Sequence, residues 1–148
     1  MNIIQAEAED LFKIKDFAKK VGVDWLDIDD ATRFFILNKG QIAASLGFTL
    51  IGDCAVLRAL IIDPEKCGLG EAMHLLQKVC QKAQELGAKA VYLATTVPAY
   101  IFQLTGFTQI EPKDLPEALR NHPPFSKQAE KRHATMMMKY LKEENWHG

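Results

Sequence analysis

Basic residues never run longer than a pair such as Lys131-Arg132, and 18 lysines and arginines face 19 acidic residues for a net charge of −1. Affinity for nucleic acid comes chiefly from neutralising phosphates, so a strong nucleic-acid face is not expected. Long apolar runs are also missing. Arg58 or Asp63 interrupts the longest of them, and none reaches the roughly 20 apolar residues of a membrane-spanning helix. The opening Met1 to Asp10 is acidic, without the basic start and apolar centre of a signal peptide. A cytoplasmic protein that binds no membrane is the expectation. Cysteine is scarce: Cys54, Cys67 and Cys80 form no C-x-x-C pair, and disulfides are not expected in a reducing compartment. His74, His122, His133 and His147 show no i, i+4 pairing, so no metal site is expected.

What remains is a chain of 148 residues, 48% hydrophobic and 25% charged, which is the profile of a soluble globular protein able to bury a core. No repeat, low-complexity tract or linker divides it. The reading is one domain over residues 1–148, with a polar, frayed tail at 142–148.

Local patterns give the order of elements. Asn2 to Ala6 forms a first strand. From Asp10, the residues Leu11, Ile14, Phe17, Ala18 and Val21 lie on one helical stripe that ends at Gly22. The acidic stretch from Val23 to Asp30 reads as irregular or a short helix, with Asp24, Asp27, Asp29 and Asp30 mostly solvated. Phe34 to Leu37 and Gln41 to Leu50 are paired strands around the turn Asn38-Lys39-Gly40. After a second turn at Gly52-Asp53, Cys54 to Ile62 is an almost unbroken apolar run, the pattern of a strand covered on both faces. A helix is predicted from about Glu71 to Leu86, its apolar stripe formed by Met73, Leu76, Val79, Cys80, Ala83 and Leu86 and its end capped by Gly87. Ala90 to Ala94 is a buried strand, Pro98 to Leu104 a short helix, and Gly106-Phe107 a turn into another strand. Leu115 to Arg120 is one helical turn or two, and Ala134 to Leu141 closes the chain as a strand.

One unit carries chemistry: a strand, the loop Glu65-Lys66-Cys67-Gly68-Leu69-Gly70, then the long helix. A helix start offers unbonded N–H groups and about half a positive charge, and glycines let an anion approach the backbone. An ATP-binding P-loop is excluded, because Glu71-Ala72 follows Gly70 where Lys and Ser or Thr are required. A dinucleotide fingerprint needs three glycines, and this loop has Gly68 and Gly70. A plain tight turn is the remaining alternative.

With its flanks, the segment resembles a known family. Leu60-Ile61-Ile62-Asp63-Pro64, then Gly68-Leu69-Gly70 and the amphipathic helix, is similar to the acetyl-CoA motif of the GNAT (Gcn5-related) N-acetyltransferases. There the loop reads Arg/Gln-x-x-Gly-x-Gly/Ala, and its amides hold the CoA pyrophosphate. Thr95-Thr96 followed by Phe102 and Gly106-Phe107 resembles the family's next motif, in the version of N-acetylglutamate synthases and of the N-acetyltransferases associated with arsenic-resistance operons. Ala55 to Leu60 and Asp114 to Leu119 are similar to the latter group. The resemblance covers about residues 1–141.

It implies an α/β (α+β) fold with a mixed, mainly antiparallel central sheet and helices on both faces. It also implies an N-acetyltransferase with acetyl-CoA as cosubstrate and no metal. Leu60, Ile61 and Ile62 would offer backbone groups to the thioester. Lys66, Cys67, Gly68, Leu69 and Gly70 would hold the pyrophosphate, and Phe102 would line the thiol end. The sequence departs from the family in three places. Glu65 stands at the Arg/Gln position in a loop about two residues short, so it must point away, be offset by Lys66, or weaken CoA binding. Phe102 stands where many members have a thiolate-protonating Tyr; Tyr100 lies roughly 200° away around the helix and does not replace it. Val56 stands where many have a glutamate base, and no general base or acid is assigned. A helix N-terminus would lower the pKa of Cys67. Glu71 fits the helix dipole, and His74 falls on the polar side of its helix.

Arg58 breaks an otherwise apolar strand, sharing by period two the face of Val56, Leu60 and Ile62. It reads as a substrate-binding residue holding a carboxylate or other oxyanion, as half of an internal ion pair, or as an arginine reaching the sheet edge. The expected acceptor is a small-molecule amine, such as an amino acid or a related oxyanion-bearing amine. A protein or peptide N-acetyltransferase and a weakly catalytic acyl-CoA-binding module are the alternatives. A homodimer is compatible with all three.

Overall fold

The computed structural model describes residues 2–23, 31–95, 100–122, 125 and 135–141. Seven strands, β1 (Asn2–Gln5), β2 (Arg33–Asn38), β3 (Ile42–Ile51), β4 (Cys54–Ile62), β5 (Ala90–Thr95), β6 (Thr108–Ile110) and β7 (Thr135–Tyr140), are hydrogen-bonded in the order β1-β2-β3-β4-β5-β7-β6. The helices are α1 (Leu11–Lys20), α2 (Leu69–Glu85), α3 (Tyr100–Leu104) and α4 (Glu117–Arg120). β4 and β5 run parallel, in the register Cys54↔Ala90, Ala55↔Val91, Val56↔Tyr92. Parallel neighbours need a crossover of a dozen or more residues, and α2 supplies it. The pairs β1–β2, β2–β3, β5–β7 and β6–β7 are antiparallel. A mixed, mostly antiparallel α/β fold is therefore what the sequence builds.

The chain forms two compact units. The first comprises Met1–Thr49 and Leu57–Val79. Its core forms where α1 lays Ile14, Phe17 and Ala18 against Phe34 and Ile36 of β2 and Ile61 of β4. Phe35 and Phe48 stack at 6.1 Å. Gly47 is dictated by this packing, because a Cβ there would sit 2.9 Å from the Phe34 ring and 3.0 Å from the Arg33 carbonyl. The β2–β3 hairpin turns at Gly40, where φ is +83°, and the Lys39 amide donates to the Gln41 carbonyl at 2.9 Å.

The second unit comprises Leu50–Val56 and Cys80–Gly148. Val56, Ala90, Tyr92 and Met138 pack with Leu115, Leu119 and Phe125. α2 begins two residues earlier than its apolar stripe predicts and ends at Glu85. Ala72, Leu75, Leu76, Val79, Cys80 and Ala83 are buried along it, whereas Leu86 lies past its end and is 40% exposed. The chain leaves this helix through Gly87 at φ +102°, with Ala88 donating back to the Ala83 carbonyl. α3 covers Tyr100–Leu104; the expected Pro98 start and the acidic stretch of Asp24, Asp27, Asp29 and Asp30 lie outside the described residues, as does the 142–148 tail.

Candidate functional site

The site begins where β4 runs out into the loop. Ile61 is buried against Phe17 and Ala18, while Leu60 and Ile62 are half-buried. Arg58 is 6% exposed and is engaged by the protein itself, as a buried guanidinium must be.

Asp63 organises the turn that follows. Its N–H donates to the Ala43 carbonyl at 2.9 Å, and its own carbonyl accepts the Lys66 and Cys67 amides at 3.0 and 2.9 Å. Its carboxylate accepts the Glu65 amide at 3.0 Å. Glu65 is exposed. Lys66 does not serve as its counter-charge: the ammonium bonds the Gln41 side-chain oxygen and lies 3.8 Å from the Asp63 carboxylate.

α2 then starts at Leu69. The Ala72 amide closes the first turn on the Gly68 carbonyl at 3.0 Å, and the amides of Leu69, Gly70 and Glu71 open the helix without an acceptor inside it. The Gly68 amide is held at 3.0 Å by the Glu71 carboxylate, one half of a capping box. Lys39, from the tip of the β2–β3 hairpin, sits on the same carboxylate, 3.2 Å from Oε1 and 3.0 Å from Oε2, and donates to the Lys66 carbonyl at 2.9 Å. The Gly68 amide and the Lys39 ammonium together hold the Glu71 carboxyl below its usual range. Glu71 is thus a helix-capping residue, as its sequence position suggests. Lys39 and Gln41 were not recognisable as part of the loop, because they come from a hairpin whose own signal is only that of a turn.

Gly70 has no positive φ, and a Cβ built on it meets nothing within 4 Å. Neither backbone strain nor internal packing requires glycine here, and the space above the helix start is open to a ligand. Open amides, a glycine that leaves them accessible and a nearby ammonium form a donor set that fits a phosphate-bearing group.

The remaining residues fall as follows. Cys67 is a correction: it is buried, and its thiol is pushed up rather than down, by burial first and by the Glu71 and Asp63 carboxylates, with Lys39 opposing. A helix dipole does not activate a thiol that is dry and faces two carboxylates. Cys80 is buried as expected, and Cys54 only half so; burial raises both. His74 is exposed on α2. Phe102 belongs to the second unit, 3% exposed and edge-on to Phe107 with ring centroids 5.8 Å apart. Tyr100 is 55% exposed, on another side of α3 from Phe102. The second unit also holds a cavity of about 880 Å³ lined by Cys54, Tyr92, Tyr140 and their neighbours. It shares no residue with the loop. Among the described residues no cluster of His, Cys, Asp or Glu could hold a metal, and no helix is long and apolar enough to cross a membrane.

The family model for the acetyltransferase (GNAT) family matches residues 1–101, which include β4, the loop and the whole of α2. The chain belongs to the GNAT acetyltransferase family. Its class of activity is therefore acetyl transfer, with acetyl-CoA as donor. Solved GNAT structures share the fold across nearly the whole chain, although sequence identity is low. N-acetylglutamate synthase from Neisseria gonorrhoeae, complexed with CoA and N-acetyl-glutamate, superposes with a TM-score of 0.77 at 18% identity; the match covers 96% of this chain and 35% of that one. Rv2747 from Mycobacterium tuberculosis, in complex with CoA, gives 0.77 at 16% identity over 96% and 100%. Tetrahymena Gcn5 gives 0.76 at 13% identity over 99% and 100%. This chain thus spans about a third of the Neisseria protein and the full length of the other two. No curated protein matches it in sequence.

Proposed function

We propose that this GNAT protein transfers the acetyl group of acetyl-CoA to the amine of a small molecule bearing a carboxylate or another oxyanion, an amino acid being the simplest example. The observation that carries the acceptor assignment is Arg58, a guanidinium 6% exposed in the strand that leads into the loop. Its planar fork carries five N–H donors, enough to serve a carboxylate beside the protein group that already engages it. The structure that holds CoA and N-acetyl-glutamate belongs to a relative whose product is such a molecule, which supports the same reading.

In this account the helix start holds the phosphate end of the cosubstrate through the amides of Leu69, Gly70 and Glu71, with Lys66, Cys67 and Gly68 forming the approach. The backbone of Leu60, Ile61 and Ile62 faces the thioester. Acetyl-CoA supplies an activated thioester. The chain orients it and the amine, a contribution that proximity alone makes large. Val56 and Phe102 can neither accept nor donate a proton, and on this reading the amine arrives as the free base or loses its proton to water. Activity should therefore rise with pH towards the pKa of the acceptor amine.

The test is a panel of acceptors, comprising amino acids, spermidine and a peptide N-terminus, each with acetyl-CoA and thiol release as readout. Carboxylate-bearing amines should be preferred. The Arg58→Met variant should raise the KM for them by about 10- to 100-fold, since a charge-assisted bond contributes about 1.5–3 kcal/mol, and should leave acetyl-CoA affinity nearly unchanged. A marked fall in melting temperature with normal kinetics per folded molecule would make Arg58 purely structural and remove the basis for an oxyanion acceptor.

A further inference from the structure

The loop departs from the family at Glu65, where a group that could bond phosphate is replaced by a carboxylate. The exposed Glu65 leaves the loop's acidic side chains, Asp63 and Glu71 included, in the majority, and Lys66 is committed to Gln41 and Asp63. The cation at the mouth of the amides comes instead from another element. Lys39 reaches across from the β2–β3 hairpin, 32 residues away in sequence from Glu71. It is fixed at both ends of the loop, by the Lys66 carbonyl at 2.9 Å and the Glu71 carboxylate at 3.0 Å. Gln41, two residues on, holds the Lys66 side chain. The hairpin tip is therefore docked on the loop through two of its side chains.

What Lys39 and the Gly68 amide share is an anion, the Glu71 carboxylate. The same donors, an ammonium and a helix-cap amide, are those a phosphate would seek. We propose that Glu71 stands in for the cosubstrate's pyrophosphate, and that Lys39 is a pyrophosphate-binding residue which Glu71 keeps in place until acetyl-CoA arrives. The inference rests on the acetyl-CoA reading of the site. A second anion cannot share the Gly68 amide with Glu71 without repulsion, so the Glu71 side chain turns outward on binding while Lys39 stays. Lys39 then takes over the role that the family gives to the Arg or Gln of the loop, and Glu71 sets how much affinity is lost to competition.

Calorimetry separates these roles when acetyl-CoA is compared with S-acetylpantetheine, which has the thioester arm and no phosphate. Lys39→Met should weaken acetyl-CoA binding by about 10-fold or more and leave S-acetylpantetheine unaffected, and Lys39→Arg should restore most of the loss. Glu71→Gln should tighten acetyl-CoA several-fold, having removed the competing charge. Wild-type binding that Lys39→Met leaves unchanged, or that Lys39→Met weakens equally for both ligands, overturns the role of Lys39 while the acetyl-CoA reading stands. Wild-type protein that binds neither ligand overturns both. Circular dichroism of each variant checks that the hairpin and α2 remain folded.

Discussion

Substitution of Gly70 separates stability from function in a way few positions allow. A Cβ at this position meets no heavy atom within 4 Å, and the residue's φ is not positive, so neither clash nor strain opposes a side chain. Glycine costs up to about 1 kcal/mol relative to alanine inside a helix, less in its first turn. Gly70→Ala should therefore stabilise the protein by roughly 0.5 kcal/mol, a rise of one or two degrees for a chain of this size. It should keep most of its acetyl-CoA affinity, since the family motif admits alanine here. Gly70→Val should melt within a degree or two of wild type, yet its two branched methyls would occupy the space above the amides of Leu69, Gly70 and Glu71. Loss of even two charge-assisted bonds at 1.5–3 kcal/mol each corresponds to a fall of at least about 100-fold in affinity. Differential scanning fluorimetry and calorimetry on the same samples make the comparison. Normal acetyl-CoA affinity in a folded Gly70→Val protein would refute the placement of the anion at this helix start.

Two further predictions concern titration and proton transfer. Burial pushes the Cys80 thiol up from 9.0 to about 11, so the folded state holds its proton where the unfolded chain has lost it; stability should be unaffected below pH 9 and decline between pH 9 and about 11, and Cys80→Ser should flatten that decline in chemical-denaturation curves measured against pH. Tyr100, 55% exposed on α3, should be dispensable: Tyr100→Phe should leave kcat within about twofold, and a thousandfold loss with acetyl-CoA binding intact would identify it as the proton donor that Phe102 cannot be.

The elements most legible in the sequence were those with long, one-sided patterns. β4 was readable to the residue, Cys54–Ile62, because a nine-residue run, apolar but for Arg58 and bounded by Gly52-Asp53 and Asp63-Pro64, admits little else. α2 is readable from its stripe, although the stripe predicts a start two residues after the helix begins. Capping at Gly68 is set by a Glu71 side chain reaching back, and apolar periodicity carries no trace of that. Glycines and their flanks pointed to the loop as a candidate anion site, yet its charge balance was not legible. Lys39 is brought there by strand pairing and by a turn with Gly40 at φ +83°, a long-range consequence of the fold that local pattern does not encode. Cys67 shows the same limit: proximity to a helix start is visible in sequence, whereas burial beside two carboxylates is not. For Arg58 the sequence showed an anomaly in an apolar strand, and the structure adds its burial.

We propose that this fold presents an acetyl-CoA site at the start of α2. Isothermal titration calorimetry of the wild-type protein with acetyl-CoA tests it most directly. One site per chain and a matching thermal stabilisation are expected, about 2.7 kcal/mol at a ligand concentration 100 times the dissociation constant. No heat and no shift in melting temperature at millimolar acetyl-CoA would contradict it.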